Sequence, residues 1–260
     1  MPAGATAGVF NPAQGLEAGA LAGQDAVVHL AGESISQRWS ERAKQTIRSS
    51  RADGTRHIAE AVARDKVQTL VSASAIGFYG PRGSEELDED ALPGSDFLAE
   101  ACKVWETSAD PARDAGARVV HPRIGVVLHP SGGALGQMLL PFKMGVGGRV
   151  GSGQQYMSWI HRDDLVALLM AAVENSAYRG PVNATAPTPV TNAEFTRALG
   201  KALHRPTVFP VPSFALKAAF GEMSVIVLTG QRVLPRRALK AGFSFAHPGI
   251  EEALVSLLAR

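Results

Sequence analysis

The amino-acid sequence predicts an α/β protein built around a parallel sheet. Short apolar runs bounded by turn residues alternate with segments whose apolar residues recur at helical spacing, as in β-α-β units. The chain has 260 residues, of which 45% are hydrophobic and 19% charged. That size and composition allow one large core or two modest ones and exclude general disorder.

Three apolar runs are predicted strands, at residues 25–32, 68–76 and 118–128. The helix after the first run begins at the capping residue Ser40 and continues towards Ala63. An acidic stretch follows the second run and leads to a helix that Ser95 caps and Gly116 ends. These elements make up the β-α-β rhythm of the first half.

The composition of the chain changes after the third predicted strand. Glycine-rich loops at 132–136 and 145–153 surround the apolar residues 138–142, which predicts an excursion out of the sheet. A helix near Asp163 and a strand at 181–184 resume the rhythm. Thr191 and Glu194 form a capping box that begins a further helix, and residues 206–260 are proline-punctuated and mostly helical.

Charge and composition exclude several classes of protein. Twenty-six basic residues face 24 acidic ones without any basic run, so no nucleic-acid partner is expected. The longest apolar stretch, 165–173, is about half of the roughly 20 residues that cross a bilayer, and no membrane partner is expected. A single cysteine, Cys102, excludes an intramolecular disulfide and favours the cytoplasm, and residues 1–6 lack the features of a signal peptide.

Two stretches have the G-x-x-G-x-x-G spacing of phosphate-binding loops. Residues 77–83 follow a predicted strand, but five carboxylates within 85–90 come next, so a surface turn is the better interpretation. Residues 145–151 lie beside Lys143 and Arg149, yet no strand precedes them. We interpret them as a flexible loop on the substrate side, with anion contact by either cation left open.

Longer motifs stand in an order that resembles a known family. The strand 25–32, the segment Arg51 to Thr55, the strand leading to Tyr79-Gly80, and residues 159–165 resemble the extended short-chain dehydrogenases/reductases. More specific motifs resemble their atypical, epimerase-like subgroup in the NAD-dependent epimerase/dehydratase superfamily, which ends in a C-terminal domain of unknown function: Asn11-Pro12, 32–35, 97–100, 140–143, 148–153, 180–186 and 230–237.

The resemblance implies a Rossmann-like doubly wound parallel sheet, an NADP(H) site and a small, mostly helical C-terminal substrate region. Residues 1–130 with 160–190 would form the nucleotide-binding domain, and 131–159 with 191–260 the substrate-side domain. The implied function is that of an NADP(H)-dependent oxidoreductase or epimerase-like protein acting on an undefined small molecule. The alternatives are a non-catalytic NADP(H)-binding or redox-sensing protein that acts through a protein partner, and a structural remnant.

The resemblance also assigns candidate site residues. Leu30, Ala31 and Gly32 would hold the cofactor at the end of a parallel strand, with Arg51 pairing a phosphate. Val127 would line the nicotinamide side, although core packing is the simpler interpretation of Leu30, Ala31 and Val127. Ser74 matches the family's catalytic serine and would orient a carbonyl or hydroxyl, or be an ordinary small residue.

The usual proton relay of this superfamily, a tyrosine with a lysine four residues later, is missing from the sequence. Four residues after Tyr79, Tyr156 and Tyr178 stand Gly83, Ile160 and Val182. If the helix is aligned by Glu106, the two positions fall on Leu98 and Cys102, and neither residue type supplies that chemistry.

Only eight residues precede Val9, whereas a β-α-β unit needs roughly 30. We therefore expect an N-terminally truncated form that lacks the first β-α-β portion with its glycine turn. Cofactor binding by this chain is then doubtful, and the isolated chain is expected to be unstable.

Three further groups of residues each have a structural interpretation beside a functional one. Asp163 and Asp164 after His161 suit the first turn of a helix better than a metal site. Residues 154–157 with Trp159 form either a substrate wall or a hydrophobic rim. Cys102 is interpreted as a packed small residue rather than a nucleophile.

Overall fold

The computed structural model describes residues 10–259. Its strands, in chain order, are β1 (Ala26–His29), β2 (Thr69–Ser72), β3 (Ser74–Ala75), β4 (Glu86–Leu87), β5 (Arg118–Ile124), β6 (Val126–Leu128), β7 (Tyr156–Met157), β8 (Trp159–His161), β9 (Gly180–Ala184), β10 (Val190–Thr191) and β11 (Arg232–Val233). Its α-helices are α1 (Glu41–Arg64), α2 (Phe97–Thr107), α3 (Asp110–Asp114), α4 (Gly133–Lys143), α5 (Arg162–Glu174), α6 (Asn192–Leu203), α7 (Ser213–Phe220), α8 (Val225–Leu228), α9 (Arg236–Lys240) and α10 (Ile250–Leu258).

The central sheet is parallel throughout. β1 pairs with β2, β2 with β5, and β5 with β9, while β3 continues the line of β2 and pairs with the later part of β5. Every carboxyl end therefore lies at one edge of this sheet and every amino end at the other. Shorter pairs, β6 with β8, β4 with β11 and β7 with β10, lie outside it.

Both faces of the sheet are covered, which confirms the doubly wound α/β prediction. Along β2 and β5, Leu70 and Val119 pack against α1 and α3 on one face. Their neighbours Val71 and Val120 pack against α5 on the other face. Alternating side chains that are all buried are typical of a parallel sheet between two helical layers.

Local sequence explains where several helices begin. Ser40 Oγ accepts a hydrogen bond from the Ala43 amide at 3.2 Å and caps α1, as predicted. The predicted capping box of α6 is present: Glu194 donates its amide to Thr191 Oγ1, and the Thr191 amide donates to the Glu194 carboxylate.

Three expectations about elements were wrong. The cap of α2 is Asp96, not Ser95, because the Asp96 carboxylate accepts from the Ala99 amide at 2.8 Å. Gly116 follows the separate short helix α3 rather than ending α2. The excursion from the sheet around residues 138–142 is present, but residues 133–136 of the predicted glycine-rich loop begin the helix α4, which contains Pro141 and is stabilised by burying Leu135, Leu139 and Phe142.

A second core lies away from the central sheet. It joins α4, α6 and α10 through residues that are almost fully buried: Leu128, Leu135, Trp159, Phe195, Leu199 and Leu254. Among the helices of residues 10–259, every one is too short or too polar to cross a bilayer.

The C-terminal region is tied to the carboxyl edge of the sheet by polar contacts. Asn183 on β9 donates its side-chain amide to the Leu234 carbonyl at 2.9 Å. The buried carboxylate of Glu89 accepts from the Asn183 amide at 2.9 Å and from the Arg237 amide at 3.2 Å. One carboxylate thereby joins three segments that are distant in sequence.

Candidate functional site

The loop after β1 is exposed at the carboxyl edge of the sheet. Leu30 is 53% exposed, and Ala31 and Gly32 are exposed as well. Ligands of parallel α/β sheets bind at this edge. Within residues 10–259, Leu30 and Ala31 are therefore exposed at this edge and do not pack in a core, and their role towards a cofactor stays a prediction.

Arg51 lies directly against this loop. Its Nη1 donates to the Glu33 carbonyl at 2.9 Å and to the Ile47 carbonyl at 3.1 Å, and a Cβ on Gly32 would lie 3.4 Å from its Cζ. The guanidinium also stacks over the Trp105 ring, 4.8 Å from its centroid. Two predicted site elements, the loop and Arg51, are therefore brought together.

The charge of Arg51 has no carboxylate partner within residues 10–259. Burial lowers the pKa of its guanidinium, but an arginine remains charged at any physiological pH. An unpaired, half-buried guanidinium beside an exposed loop at the carboxyl edge suits an anionic group such as a phosphate.

Ser74 lies at the start of β3, is 2% exposed and belongs to a buried polar network. Its hydroxyl donates to Glu106 Oε1 at 2.7 Å. Arg123 on β5 holds the same carboxylate with two hydrogen bonds, Nε to Oε1 at 2.8 Å and Nη2 to Oε2 at 2.9 Å. Because the one hydroxyl proton of Ser74 is used, its Oγ can accept a hydrogen bond from a ligand but cannot donate one.

Tyr79 continues this network into the interior. Arg123 Nη1 donates to the Tyr79 hydroxyl at 3.0 Å, which in turn donates to Asn183 Oδ1 at 2.7 Å. Burial raises the pKa of Tyr79 to about 12, and its side chain is fully buried. Tyr79 is therefore a neutral structural tyrosine and not a proton acceptor.

Leu98 and Cys102, on which the Tyr-Lys pair falls if the helix is aligned by Glu106, lie against the turn that follows β3. A Cβ on Gly77, just after β3, would lie 3.3 Å from Leu98 Cβ and 3.7 Å from Cys102 Sγ. Burial raises the pKa of the Cys102 thiol to about 12. The thiol therefore stays protonated, and neither position supplies the missing proton relay.

Val127 lies on β6, half-buried and paired with Ile160 of β8. No hydrogen bond in the described residues joins it to Ser74, Arg51 or the loop after β1. The site roles of Leu30, Ala31, Gly32, Arg51, Ser74 and Val127 all stay predictions.

A cleft of about 580 Å³ opens between loop 81–84 and residues of the C-terminal half. Gln154, Gln155 and Tyr156 line it, together with Thr191 and residues 228–230, and no charged side chain does. Gly230 allows the close approach of two backbones, since a Cβ there would lie 2.0 Å from the Tyr156 carbonyl oxygen. Tyr156 fits the substrate-wall interpretation, whereas Trp159 does not because it is fully buried in the second core.

The segment from His161 to Asp164 has a structural role, as expected. The His161 ring accepts from the Asp163 amide at 3.0 Å and caps α5. Asp164 accepts from the amides of Ala246 at 2.7 Å and His247 at 3.0 Å. Across residues 10–259, no three His, Cys, Asp or Glu side chains come close enough to hold a metal ion.

Sequence reasoning missed the Glu106–Arg123 pair and its link to Ser74. The partners lie on different elements, 17 residues apart for Glu106 and Arg123 and 32 for Ser74 and Glu106. No motif spacing signals such contacts.

Comparisons with known proteins identify the family of this chain. Residues 9–184 match the model of the NAD dependent epimerase/dehydratase family, and residues 211–257 match a domain of unknown function (DUF1731). The epimerase family protein MT2273 of Mycobacterium tuberculosis is 48% identical over 248 residues, which are 94% of this chain and 82% of the relative. The human epimerase family protein SDR39U1 is 38% identical over 251 residues, 94% of this chain and 85% of the relative.

Two solved structures are also similar. The crystal structure of human SDR39U1 (isoform 2) with NADPH superposes with a TM-score of 0.88 at 37% identity and covers 96% of this chain and 85% of that one. A nucleoside-diphosphate sugar epimerase from Corynebacterium glutamicum gives a TM-score of 0.79 at 36% identity, covering 97% of this chain and 50% of that one. The chain belongs to the NAD dependent epimerase/dehydratase family, with a DUF1731 domain at its C-terminal end.

Proposed function

We propose that this chain binds NADP(H) at the carboxyl edge of its sheet and acts as an oxidoreductase or epimerase-like protein on a small molecule that carries a hydroxyl group. The observation that carries the proposal is Arg51, an unpaired guanidinium packed against the exposed loop Leu30 to Gly32. The NADPH in the structure of human SDR39U1 supports the choice of cofactor. In this proposal Arg51 binds a phosphate of the cofactor, and Val127 lines the nicotinamide side.

When bound, NADP(H) supplies a hydride acceptor or donor. Ser74 positions the substrate: its hydroxyl donates its one hydrogen bond to Glu106, so its Oγ can only accept a hydrogen bond from the substrate. Arg123 holds the Glu106 carboxylate in place with two hydrogen bonds. Ser74 therefore favours the alcohol form of a substrate over the carbonyl form.

We assign residues 1–130 with 160–190 to the nucleotide-binding domain, and 131–159 with 191–260 to the substrate side. The uncharged cleft lined by Gln154, Gln155 and Tyr156 supports this assignment, since amides and an aromatic ring suit a neutral hydroxylated molecule. No nucleic acid or membrane partner is part of the proposal.

A titration followed by nicotinamide fluorescence tests cofactor binding. The Arg51→Met variant loses a charge-assisted hydrogen bond worth about 1.5–3 kcal/mol. It should therefore bind NADPH roughly 10- to 150-fold more weakly than the original chain. Arg51→Lys keeps the charge and should lose less, and Arg42→Ala, an exposed cation elsewhere on α1, should bind as the original chain does. Equal affinity of the original chain and Arg51→Met, with both folded by circular dichroism, would refute the role of Arg51.

A second candidate function is NADP(H) binding without catalysis, with signalling through a protein partner. The specific observations in its favour are that the sequence holds no Tyr-x-x-x-Lys pair and that burial raises the pKa of the Cys102 thiol to about 12, so that this group stays protonated. Nicotinamide absorbance, followed while alcohols, aldehydes, ketones and sugars are added, separates the two. Turnover that Ser74→Ala abolishes while NADPH binding persists supports the enzyme, and binding without turnover of any compound supports the sensor.

A further inference from the structure

A second cleft lies at the opposite edge of the sheet from Arg51. It has a volume of about 630 Å³ and is formed where the amino ends of β2 and β5 meet the ends of α1, α3 and α5. We call it the amino-edge cleft. Its polar lining consists of Lys66, Gln68, Thr69, Arg118, Ser176 and Arg179.

The amino-edge cleft is strongly positive. Three of its lining residues, Lys66, Arg118 and Arg179, are cations, and none is an aspartate or glutamate. None of the three forms an ion pair with a carboxylate of residues 10–259, whereas the neighbouring Arg64 pairs with Asp65 at 3.0 Å. Three positive charges therefore line one cleft without a carboxylate counterion from the described part of the protein.

Arg118 is a buried cation of this cleft, without a carboxylate partner among the described residues. It is 9% exposed, and its guanidinium donates to neutral groups, the carbonyls of Ala172 at 2.7 Å and Val173 at 2.6 Å and the Thr69 hydroxyl at 3.2 Å among them. Burial lowers its pKa, and so does the positive charge of Arg179. A buried cation beside a second cation is destabilising unless an anion offsets the pair.

Helix ends do not remove the excess charge. The carboxyl ends of α1, α3 and α5 lie at this edge, and a helix end carries about half a negative charge at most. The three full positive charges outweigh these partial charges. The carbonyls of α1 are also already used, since the Asp65 amide donates to Ala61 and the Val67 amide to Val62.

We propose that the amino-edge cleft binds the phosphate group of a small phosphorylated molecule. Lys66 and Arg179, which are exposed, contact the phosphate, and Arg118 adds its charge from behind. Ser176, Gln68 and Thr69 supply neutral donors and acceptors. The volume lies within the range of about 300–1,000 Å³ typical of small-molecule sites and exceeds that of a phosphate ion, which leaves room for the rest of a small phosphorylated molecule.

The test is a calorimetric titration of the full chain at low salt with two probes, inorganic phosphate and glucose 6-phosphate. We expect saturable binding of both and tighter binding of glucose 6-phosphate. Lys66→Ala with Arg179→Ala should weaken both at least about tenfold, because each lost charge-assisted contact is worth about 1.5–3 kcal/mol.

One control locates the site. Arg42→Ala with Arg48→Ala removes the same charge from the exposed side of α1, and this variant should bind the probes as the original chain does. No saturable binding overturns the proposal. Equal binding by the Lys66 and Arg179 double variant also overturns it, because the probes would then occupy another site, such as the cofactor edge.

The proposal is independent of the proposed function. NADPH titration of the Lys66 and Arg179 double variant should match that of the original chain, since the two sites lie at opposite edges of the sheet. Failure of NADPH binding in every variant would count against the proposed function alone.

Discussion

Replacing Arg123 by methionine is expected to be among the most damaging single changes in this protein. The Arg123 and Glu106 side chains are 4% and 13% exposed, and the arginine also donates to Tyr79. The substitution leaves the Glu106 carboxylate without a cation and with Ser74 as its remaining donor. Removing one partner of a buried pair costs about 3–5 kcal/mol, which lowers Tm by roughly 6–20 °C in a chain of this size.

Thermal and urea unfolding followed by circular dichroism measure this loss. Arg162→Met is the matched control, because its pair with Asp163 is 44% and 53% exposed and should contribute about 0–1 kcal/mol. Methionine at both positions 106 and 123 should be less destabilising than Arg123→Met alone, since no unpaired charge then remains. If Arg123→Met unfolds at the same temperature as Arg162→Met, the interpretation of this network is wrong.

Three further predictions concern stability. Lowering the pH from 7 to 5 should lower Tm. Burial lowers the pKa of His29, His121 and His161 in the folded chain, so below about pH 6.5 the unfolded chain binds more protons than the folded chain. A Tm that does not change with pH would contradict this. Gly230→Ala should cost about 1–3 kcal/mol by forcing Cβ against the Tyr156 carbonyl, whereas Gly132→Ala, where nothing lies within 4 Å, should have little effect in the same urea titration. Thr191→Ala should cost about 1 kcal/mol by removing the capping box of α6, and an unchanged urea midpoint would show that the box contributes nothing.

The sequence was informative wherever a local rule decides the structure. Ser40 and Thr191 mark helix starts because the capping hydrogen bonds span only three residues. The prediction of Ser95 as a cap was wrong because the neighbouring Asp96 is an equally good capping residue and nothing local separates the two. Helix α4 was missed because glycine and Pro141 disfavour it, and burial of Leu135, Leu139 and Phe142 outweighs that preference.

The candidate site likewise has a part that local sequence predicts and a part that depends on tertiary packing. The position of Leu30 to Gly32 at the end of a strand follows from the apolar run before them and the topology of parallel sheets. The hydrogen bond from Tyr79 to Asn183 joins residues 104 positions apart, and Glu106 and Arg123 meet across two elements. Contacts of this kind depend on tertiary packing and leave no periodic trace in the sequence.

The buried carboxylate of Glu89 has a consequence for the order in which the protein is made. Its backbone donors, the amides of Asn183 and Arg237, are synthesised 94 and 148 residues after it. Until Arg237 leaves the ribosome, Glu89 has to remain in water, so the carboxyl edge of the sheet cannot close during synthesis. The chain should therefore complete its fold only after residue 237 has left the ribosome, and premature termination before that residue should yield a product that proteases and chaperones recognise as unfinished.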